Sequence, residues 1–189
     1  MKIIKINPKN LNEAPRANAI KQAVLVIKRG GIIAYPTDTC YGLGANPKNL
    51  RAMKRLYLIK GRPQDKKISL IFKDLAMIQE HCRVSPKQKR YLMKFLPGPY
   101  TFILKSKKEG DTIAVRIPKH RTTRLLSEYL DSPYTTTSAN KSGQPPCYDA
   151  RCIAQLKDID LILDAGPLKK NPPSKIVDLT NKLYKVIRS

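Results

Sequence analysis

Two pairs of residues in this sequence have the side-chain types and the spacing to bind an anionic reactant. Lys60 and Arg62 are two positions apart in "KGRPQDKK", where an ammonium and a guanidinium could share a phosphate. Ser138 and Asn140 are two positions apart in "TTTSANKSGQPP", and their side chains could bind a phosphate or a carboxylate. If residues 60–62 are extended, the first two side chains project to the same side of the chain. A solvated connection and an ordinary polar turn have the same composition, so these alternatives stay open at this point.

Two other stretches place polar residues beside apolar strands. "YPTDTCYGLG" brings Thr39 and two glycines to the end of a predicted strand, where open α/β sheets usually bind ligands. A turn without a ligand is the alternative for this stretch. Arg116 lies in the otherwise apolar "IAVRIPKH", where a buried guanidinium requires a partner or a cleft. His120 ends the same stretch, and a lone histidine is more often structural or exposed than catalytic.

Several familiar sites are missing from the sequence. It contains no G-x-x-x-x-G-K-[ST] loop, no G-x-G-x-x-G fingerprint and no G-x-S-x-G elbow. Any nucleotide chemistry must therefore use a less common phosphate cradle. No histidine pair or Cys-x-x-Cys has metal-binding spacing, so no metal site is predicted. The four scattered cysteines are expected to be reduced and mostly to be small core residues: Cys40, Cys82, Cys147 and Cys152.

The composition indicates a folded, strongly basic protein. The 189 residues are 41% hydrophobic, which excludes a disordered chain and predicts one domain over residues 1–189. No apolar run approaches the roughly 18 residues of a membrane span, and the N-terminus lacks a signal peptide, so we expect a cytoplasmic protein with no membrane partner. The 37 Lys and Arg against 14 Asp and Glu give a charge of +23, which favours nucleic acid or nucleotide phosphates as partners. A generally basic proteome would also explain this excess.

The order of hydrophobic patterns indicates an α/β fold. Strands are predicted at residues 2–6, 32–36, 68–72, 100–104, 112–117, 134–137, 160–164, 175–179 and 182–187. Helices are predicted at residues 16–31, 49–60, 85–96, 121–130 and 150–156. Ser85 is the expected N-cap of the third helix, and Gly30-Gly31 ends the first. The alternation predicts a twisted, mixed β-sheet flanked by helices, without fixing the order of the strands.

Six stretches, taken in order, resemble the YrdC family, the threonylcarbamoyl-adenylate synthases. They are "RGGIIAYPTDTCYGLGANP", "IKGRPQDK", "LPGPYTFIL", "IAVRIPKH", "TSANKSGQP" and "PPSKIVDL". The resemblance implies a YrdC-like α/β domain with a large basic concave cavity, in its single-domain form. It also implies an activity, the condensation of L-threonine, bicarbonate or CO₂, and ATP into threonylcarbamoyl-AMP with release of diphosphate. The adenylate would serve the threonylcarbamoyladenosine modification beside the anticodon of tRNA.

The resemblance assigns roles to residues that match the family's motifs. The catalytic residues it implies are Lys60, Arg62, Ser138 and Asn140. ATP binding is implied for Arg62, Lys66, Arg116, Asn140, Tyr148 and Arg188. Threonine binding is implied for Thr39, His120, Ser138 and Ser174. Mg²⁺ is expected to arrive with ATP, since no protein metal site is predicted.

Two classes of function are compatible with the sequence. The first is the enzyme, with a threonylcarbamoyl transferase complex and tRNA or double-stranded RNA as further partners. The second is an RNA-binding protein of the same fold that acts in RNA maturation without the adenylation reaction. RNA binding has no need for Ser138 and Asn140 at their spacing. It also commonly uses aromatic stacking, whereas the chain has no Trp and three Phe, so the sequence favours the enzyme.

Overall fold

The helices and strands are defined by a computed structural model that describes residues 1–8, 14–181 and 183–189, without the side chains of residues 14–17. The helices are Ala14–Lys28 (α1), Leu50–Lys60 (α2), Leu75–His81 (α3), Pro86–Phe95 (α4), Arg121–Leu130 (α5) and Ala150–Ile153 (α6). The strands are Lys2–Lys5 (β1), Ile33–Pro36 (β2), Tyr41–Gly44 (β3), Ser69–Ile71 (β4), Tyr100–Lys105 (β5), Thr112–Arg116 (β6), Tyr134–Ser138 (β7), Leu161–Asp164 (β8), Lys175–Asp178 (β9) and Lys185–Arg188 (β10).

All these strands join one mixed sheet. Their order is β1-β8-β2-β3-β7-β4-β6-β5-β9-β10. The pairs β1–β8, β2–β8, β4–β6 and β5–β9 are parallel, and the remaining neighbours are antiparallel. The predicted α/β class, with a mixed sheet flanked by helices, is confirmed. Among the described residues, no helix has both the length and the apolar character of a membrane span.

The first half of the sheet is covered on both faces. Successive side chains of a strand point to opposite faces, and β2 shows this alternation. Ile33 and Tyr35 belong to a core with α1 and α5, whereas Ile32 and Ala34 belong to a second core with α2 and α6. The near-continuous apolar run of this strand is therefore explained by helices on both sides.

The second half of the sheet is covered by helices on one face. Phe102 and Leu104 of β5, with Val115 of β6, form a third core with α3 and α4. The intervening side chains, Thr101 and Ile103, instead line a cavity on the opposite face. The period of two along β5 thus separates a packed side from a side that is open to a ligand.

Local sequence signals predicted most of the element ends. Ser85 and Gln88 form a reciprocal capping box at α4, with Pro86 in its first turn. Helix α1 ends at Lys28, just before the predicted glycine pair. Two elements were not predicted, β3 and α3. Lys182, the first residue of the predicted last strand, lies outside the described residues.

The prediction of four reduced cysteines is wrong for two of them. Cys147 and Cys152 form a disulfide, with their Cα atoms 5.6 Å apart. Cys40 and Cys82 are free thiols. The physical reason is the turn into α6, which brings two residues five positions apart within bonding distance. The bond links α6 to the segment that carries Tyr148.

Cys152→Ser is expected to lower the free energy of unfolding by about 2 kcal/mol, because the bond closes a short loop in the unfolded chain. Urea unfolding without reductant measures the difference from the wild type. With reductant present, the two proteins should have nearly equal stabilities. Equal stabilities without reductant would contradict a stabilising disulfide.

Candidate active site

A cavity of about 840 Å³ opens on the face of the sheet that α3 and α4 do not cover. Its walls come from β3–β7, β9 and β10 and from the loops after β2, α2 and β7. Six cationic side chains of the described residues line it: Lys60, Arg62, Lys66, Lys67, Arg116 and Arg188. Among the described residues of the lining, none is acidic. The cavity therefore has the electrostatic character of a site for anions.

Lys60 joins the two sequence-predicted pairs. Its side chain is almost fully buried, with 3% of the residue exposed. The ammonium donates to the main-chain oxygen of Ser138 at 2.6 Å and to Oδ1 of Asn140 at 2.8 Å. The Ser138 hydroxyl donates to the same Oδ1 at 2.5 Å. Ser138 and Asn140, which lie 78 and 80 positions from Lys60 in the sequence, are thus held around its ammonium.

The orientation of Asn140 is fixed by its own amide group. Its Nδ2 donates to the main-chain oxygens of Lys141 at 2.9 Å and Gln144 at 2.5 Å. These bonds require Oδ1 to be the atom that faces Lys60 and Ser138. The side chain therefore links the ammonium to the loop that follows β7.

The backbone between Lys60 and Arg62 is a helix end and not the extended segment considered as one possibility from the sequence. Lys60 is the last residue of α2, and Gly61 follows with φ of 54°, in the left-handed region that glycine adopts readily. The main-chain nitrogen of Arg62 donates to the Tyr57 oxygen at 3.1 Å, which completes the helix end. Both cations nevertheless line the cavity, because the turn brings Arg62 back toward it.

The Arg62 guanidinium is only partly satisfied by the protein. Its Nη2 donates to the Lys67 main-chain oxygen at 2.9 Å. Its Nε is buried without a hydrogen-bond partner among the described residues. A buried donor without a partner carries a free-energy cost, and such donors are often found at ligand sites.

Burial affects the ionisation of groups in this cavity. It lowers the pKa of Lys60 to about 8, with a further lowering from the nearby Arg62 charge. Burial also raises the pKa of the Cys40 thiol, although Arg116 and Lys60 act in the opposite direction. Lys60 therefore remains mainly cationic at neutral pH, and Cys40 remains a neutral thiol.

Arg116 has a buried anionic partner, as a guanidinium within an apolar strand can require. Its Nη2 donates to Oδ1 of Asp38 at 2.5 Å and to Oγ1 of Thr39 at 3.1 Å. The side chains of this ion pair are 9% and 11% exposed. Like Arg62, Arg116 has a buried Nε without a partner among the described residues. Asp38 was not among the predicted site residues.

Ser174 and Arg188 form the opposite wall of the cavity. Ser174 is buried, and its hydroxyl lies 3.1 Å from the Thr101 hydroxyl. Arg188 donates from Nε and Nη2 to the Ser174 main-chain oxygen at 2.9 and 2.6 Å. Burial and the nearby Arg116 charge lower the pKa of Arg188. Thr101 was not among the predicted site residues.

The structure brings together all the predicted site residues except one. Thr39, Lys66 and Tyr148 also line the cavity, whereas His120 does not. His120 lines a separate cavity of about 350 Å³ and caps α5, where its Nδ1 accepts from the Thr122 nitrogen at 3.3 Å. Burial lowers the pKa of this histidine, which favours the neutral ring that the cap requires.

The likeness to known proteins extends over most of the chain. The sequence model of the Sua5, YciO and YrdC family, described as "Telomere recombination", matches residues 25–189. This chain belongs to that family. A Chromobacterium violaceum member named threonylcarbamoyl-AMP synthase is 35% identical, over 89% of this chain and 93% of its own length.

Two solved structures of the Sua5, YciO and YrdC family extend the likeness to the fold. Pyrococcus abyssi Sua5 in complex with L-threonine is 30% identical and superposes with a TM-score of 0.89 over the whole of this chain. This chain spans 57% of the length of that Sua5. E. coli YciO is 31% identical, with a TM-score of 0.87, and here 95% of its chain is covered.

Proposed function

We propose that this protein is a threonylcarbamoyl-AMP synthase, a nucleotidyltransferase that uses L-threonine, bicarbonate or CO₂, and ATP. The observation that carries the proposal is the junction of Lys60 with Ser138 and Asn140 inside a cationic cavity. Relatives with the name threonylcarbamoyl-AMP synthase support the reaction, and the threonine complex of Sua5 supports the amino acid.

The reaction requires anions to meet. The threonine amine adds to CO₂ and loses a proton, which gives a carbamate. A carbamate oxygen then forms a bond to the α-phosphorus of ATP, and the bond to the diphosphate oxygen breaks. Alignment and charge neutralisation are the main tasks of such a site. The cations of the cavity suit these tasks, and neither a protein nucleophile nor a covalent intermediate is needed.

The proposed contacts are those that the resemblance to the family implies, for the residues that line the cavity. Lys60, Arg62, Ser138 and Asn140 surround the reacting groups. The proposed ATP contacts are Arg62, Lys66, Arg116, Asn140, Tyr148 and Arg188. The proposed threonine contacts are Thr39, Ser138 and Ser174. The threonine contact predicted for His120 stays a prediction, since its ring lines the separate cavity and its Nδ1 caps α5.

Mg²⁺ would be held by the phosphates of ATP. Among the described residues, no group of three His, Cys, Asp or Glu side chains could hold a metal ion, and the described lining of the cavity has no carboxylate. The donor set therefore fits a metal ion that enters with the nucleotide. The metal would neutralise phosphate charge, while the cations of the chain position the reactants.

The direct test is incubation of the purified protein with ATP, L-threonine and bicarbonate, followed by mass spectrometry for the adenylate. Diphosphate should appear in equal amount. Omission of threonine should eliminate both products. If ATP binds and neither product forms, the proposed reaction is wrong.

RNA binding without adenylation is the second candidate, and the net charge of +23 is the observation that favours it. The partner transferase complex and tRNA are likewise proposals. Fluorescence titration with a tRNA anticodon stem, repeated at several salt concentrations, measures this activity. Tight binding that ATP does not alter, from a protein that makes no adenylate, would favour the second candidate.

ATP affinity is expected to fall as the pH rises through about 8, because Lys60 then loses its charge. The folded pKa of Lys60 lies below its ordinary value of 10.5. Between these values the unfolded chain binds the proton more strongly, so the stability contribution of Lys60 rises with pH. Calorimetry of ATP binding and urea unfolding, each from pH 7 to 10, measure the two effects.

Lys60→Met is the reference for both pH measurements, since it has no ammonium to titrate. Its ATP affinity should change little through this range. Parallel pH profiles for the wild type and this variant would contradict the lowered pKa of Lys60.

A further inference from the structure

Asp38 lies at a junction of three segments beside the cavity, outside its lining. Its Oδ1 accepts from Arg116 at the end of β6, and its Oδ2 accepts from the Lys119 main-chain nitrogen at 3.1 Å. Its main-chain oxygen accepts from Nδ2 of Asn171 at 2.9 Å. One aspartate thus connects the β2–β3 turn to the segment before α5 and to the loop that leads to Ser174.

The charge on Asp38 opposes a local repulsion. Arg116 lowers the pKa of Arg188, as expected for two cations in proximity on the cavity wall. Without a carboxylate, the buried Arg116 guanidinium would face this repulsion and would also lack a counterion. Thr39 provides only a neutral oxygen at 3.1 Å. Asp38 is therefore the group that makes the observed position of Arg116 favourable before a ligand binds.

We propose that Asp38 is a positioning residue for the nucleotide, acting through Arg116 and not by contact with the reactants. This inference rests on the proposed function, in which Arg116 contacts ATP. Without the carboxylate, Arg116 would be free to leave the cavity wall. The free energy needed to restore its position would then weaken the binding of ATP.

The chain offers a matched control at Asp160. Its Oδ2 accepts from the Ile32 main-chain nitrogen at 2.7 Å and from Arg55 at 3.1 Å. Asp38 and Asp160 therefore each combine one arginine with one main-chain N–H. Neither Asp160 nor Arg55 lines the cavity. The Asp160 pair is more exposed than the Asp38 pair, so ATP affinity, and not stability, is the property on which the two variants are compared.

The experiment compares Asp38→Asn, Asp160→Asn, Arg116→Ala and the double variant Asp38→Asn/Arg116→Ala. Calorimetry gives the Kd for ATP, steady-state kinetics give KM and kcat, and urea unfolding gives the stability of each variant. We expect Asp38→Asn to weaken ATP binding about tenfold or more, with a larger effect on KM than on kcat. Asp160→Asn should stay within about twofold of the wild type in affinity. The double variant should bind ATP no more weakly than Arg116→Ala.

Two outcomes would overturn the role of Asp38. One is an Asp38→Asn affinity within twofold of the wild type, and the other is an additive loss in the double variant. If Asp38→Asn does not fold, Asp38→Ser is measured in the same way, because it also removes the carboxylate charge and keeps a small polar side chain. The calorimetric comparison needs no turnover. A wild type that binds ATP without making adenylate would therefore refute the proposed reaction, while the affinities still decide the role of Asp38.

Discussion

Arg62→Ala is expected to abolish the release of diphosphate from ATP in the presence of threonine and bicarbonate, while the protein stays folded. Among the described residues, the guanidinium makes one hydrogen bond, to the Lys67 main-chain oxygen, and its buried Nε has no partner. Removal of the guanidinium is therefore expected to change the free energy of unfolding only slightly. Removal of an arginine that stabilises a phosphoryl-transfer transition state typically lowers the rate by about 10³-fold or more.

Arg51→Ala is the control for Arg62→Ala, since Arg51 is an exposed arginine of α2, the helix that ends just before Arg62. Diphosphate release and thermal unfolding are measured for both variants. The control should match the wild type in both measurements. Near-normal turnover in Arg62→Ala would remove Arg62 from the proposed mechanism.

Lys60→Met should produce a comparably large loss of activity, about 10²- to 10³-fold, because the cation at the junction of the two residue pairs is lost. Two effects on stability oppose each other in this variant. The oxygens of Ser138 and Asn140 lose a donor, which costs free energy. Removal of a buried ammonium, whose pKa burial lowers to about 8, is favourable below that pH. We therefore expect a small net change in the free energy of unfolding at pH 7.

Diphosphate release and urea unfolding at pH 7 separate the two effects of Lys60→Met. Lys54→Met, at an exposed position of α2, controls for the loss of a lysine charge outside the cavity. Activity in Lys60→Met equal to that of this control would exclude the proposed role of Lys60.

Much of the fold follows from local signals in the sequence. Helix α4 begins at a serine, a proline and a glutamine that together form its cap, so its start could be predicted closely. Strand β3 was not predicted because its two glycines are typical of a loop. In the structure, a Cβ atom at Gly44 would lie 2.8 Å from Cε1 of Tyr35, so the glycine makes room for a buried ring across the hairpin. The need for glycine at this position can be recognised only when the partner strand is known.

The candidate site, too, could be predicted only in part from local signals in the sequence. Residue types identified Lys60, Arg62, Ser138 and Asn140, and their convergence depends on contacts between distant parts of the chain that spacing does not reveal. The Asp38–Arg116 pair is likewise formed by residues 78 positions apart. The extended backbone considered for residues 60–62 is not present, because Gly61 ends α2 in a left-handed turn. The disulfide depends on the turn before α6, whose geometry two isolated cysteines do not disclose.

Because one face of β5 and β6 is not covered by helices, the melting temperature of the protein should rise when a ligand binds there. A molecule seated there would supply the layer that helices supply elsewhere, shielding Ile103 and Ala114 from water. Any ligand present at 100 times its Kd adds about 2.7 kcal/mol to the folded state, whatever its chemistry. A melting-temperature screen of amino acids and nucleoside triphosphates would therefore rank the molecules that this surface accepts, before a single turnover is measured.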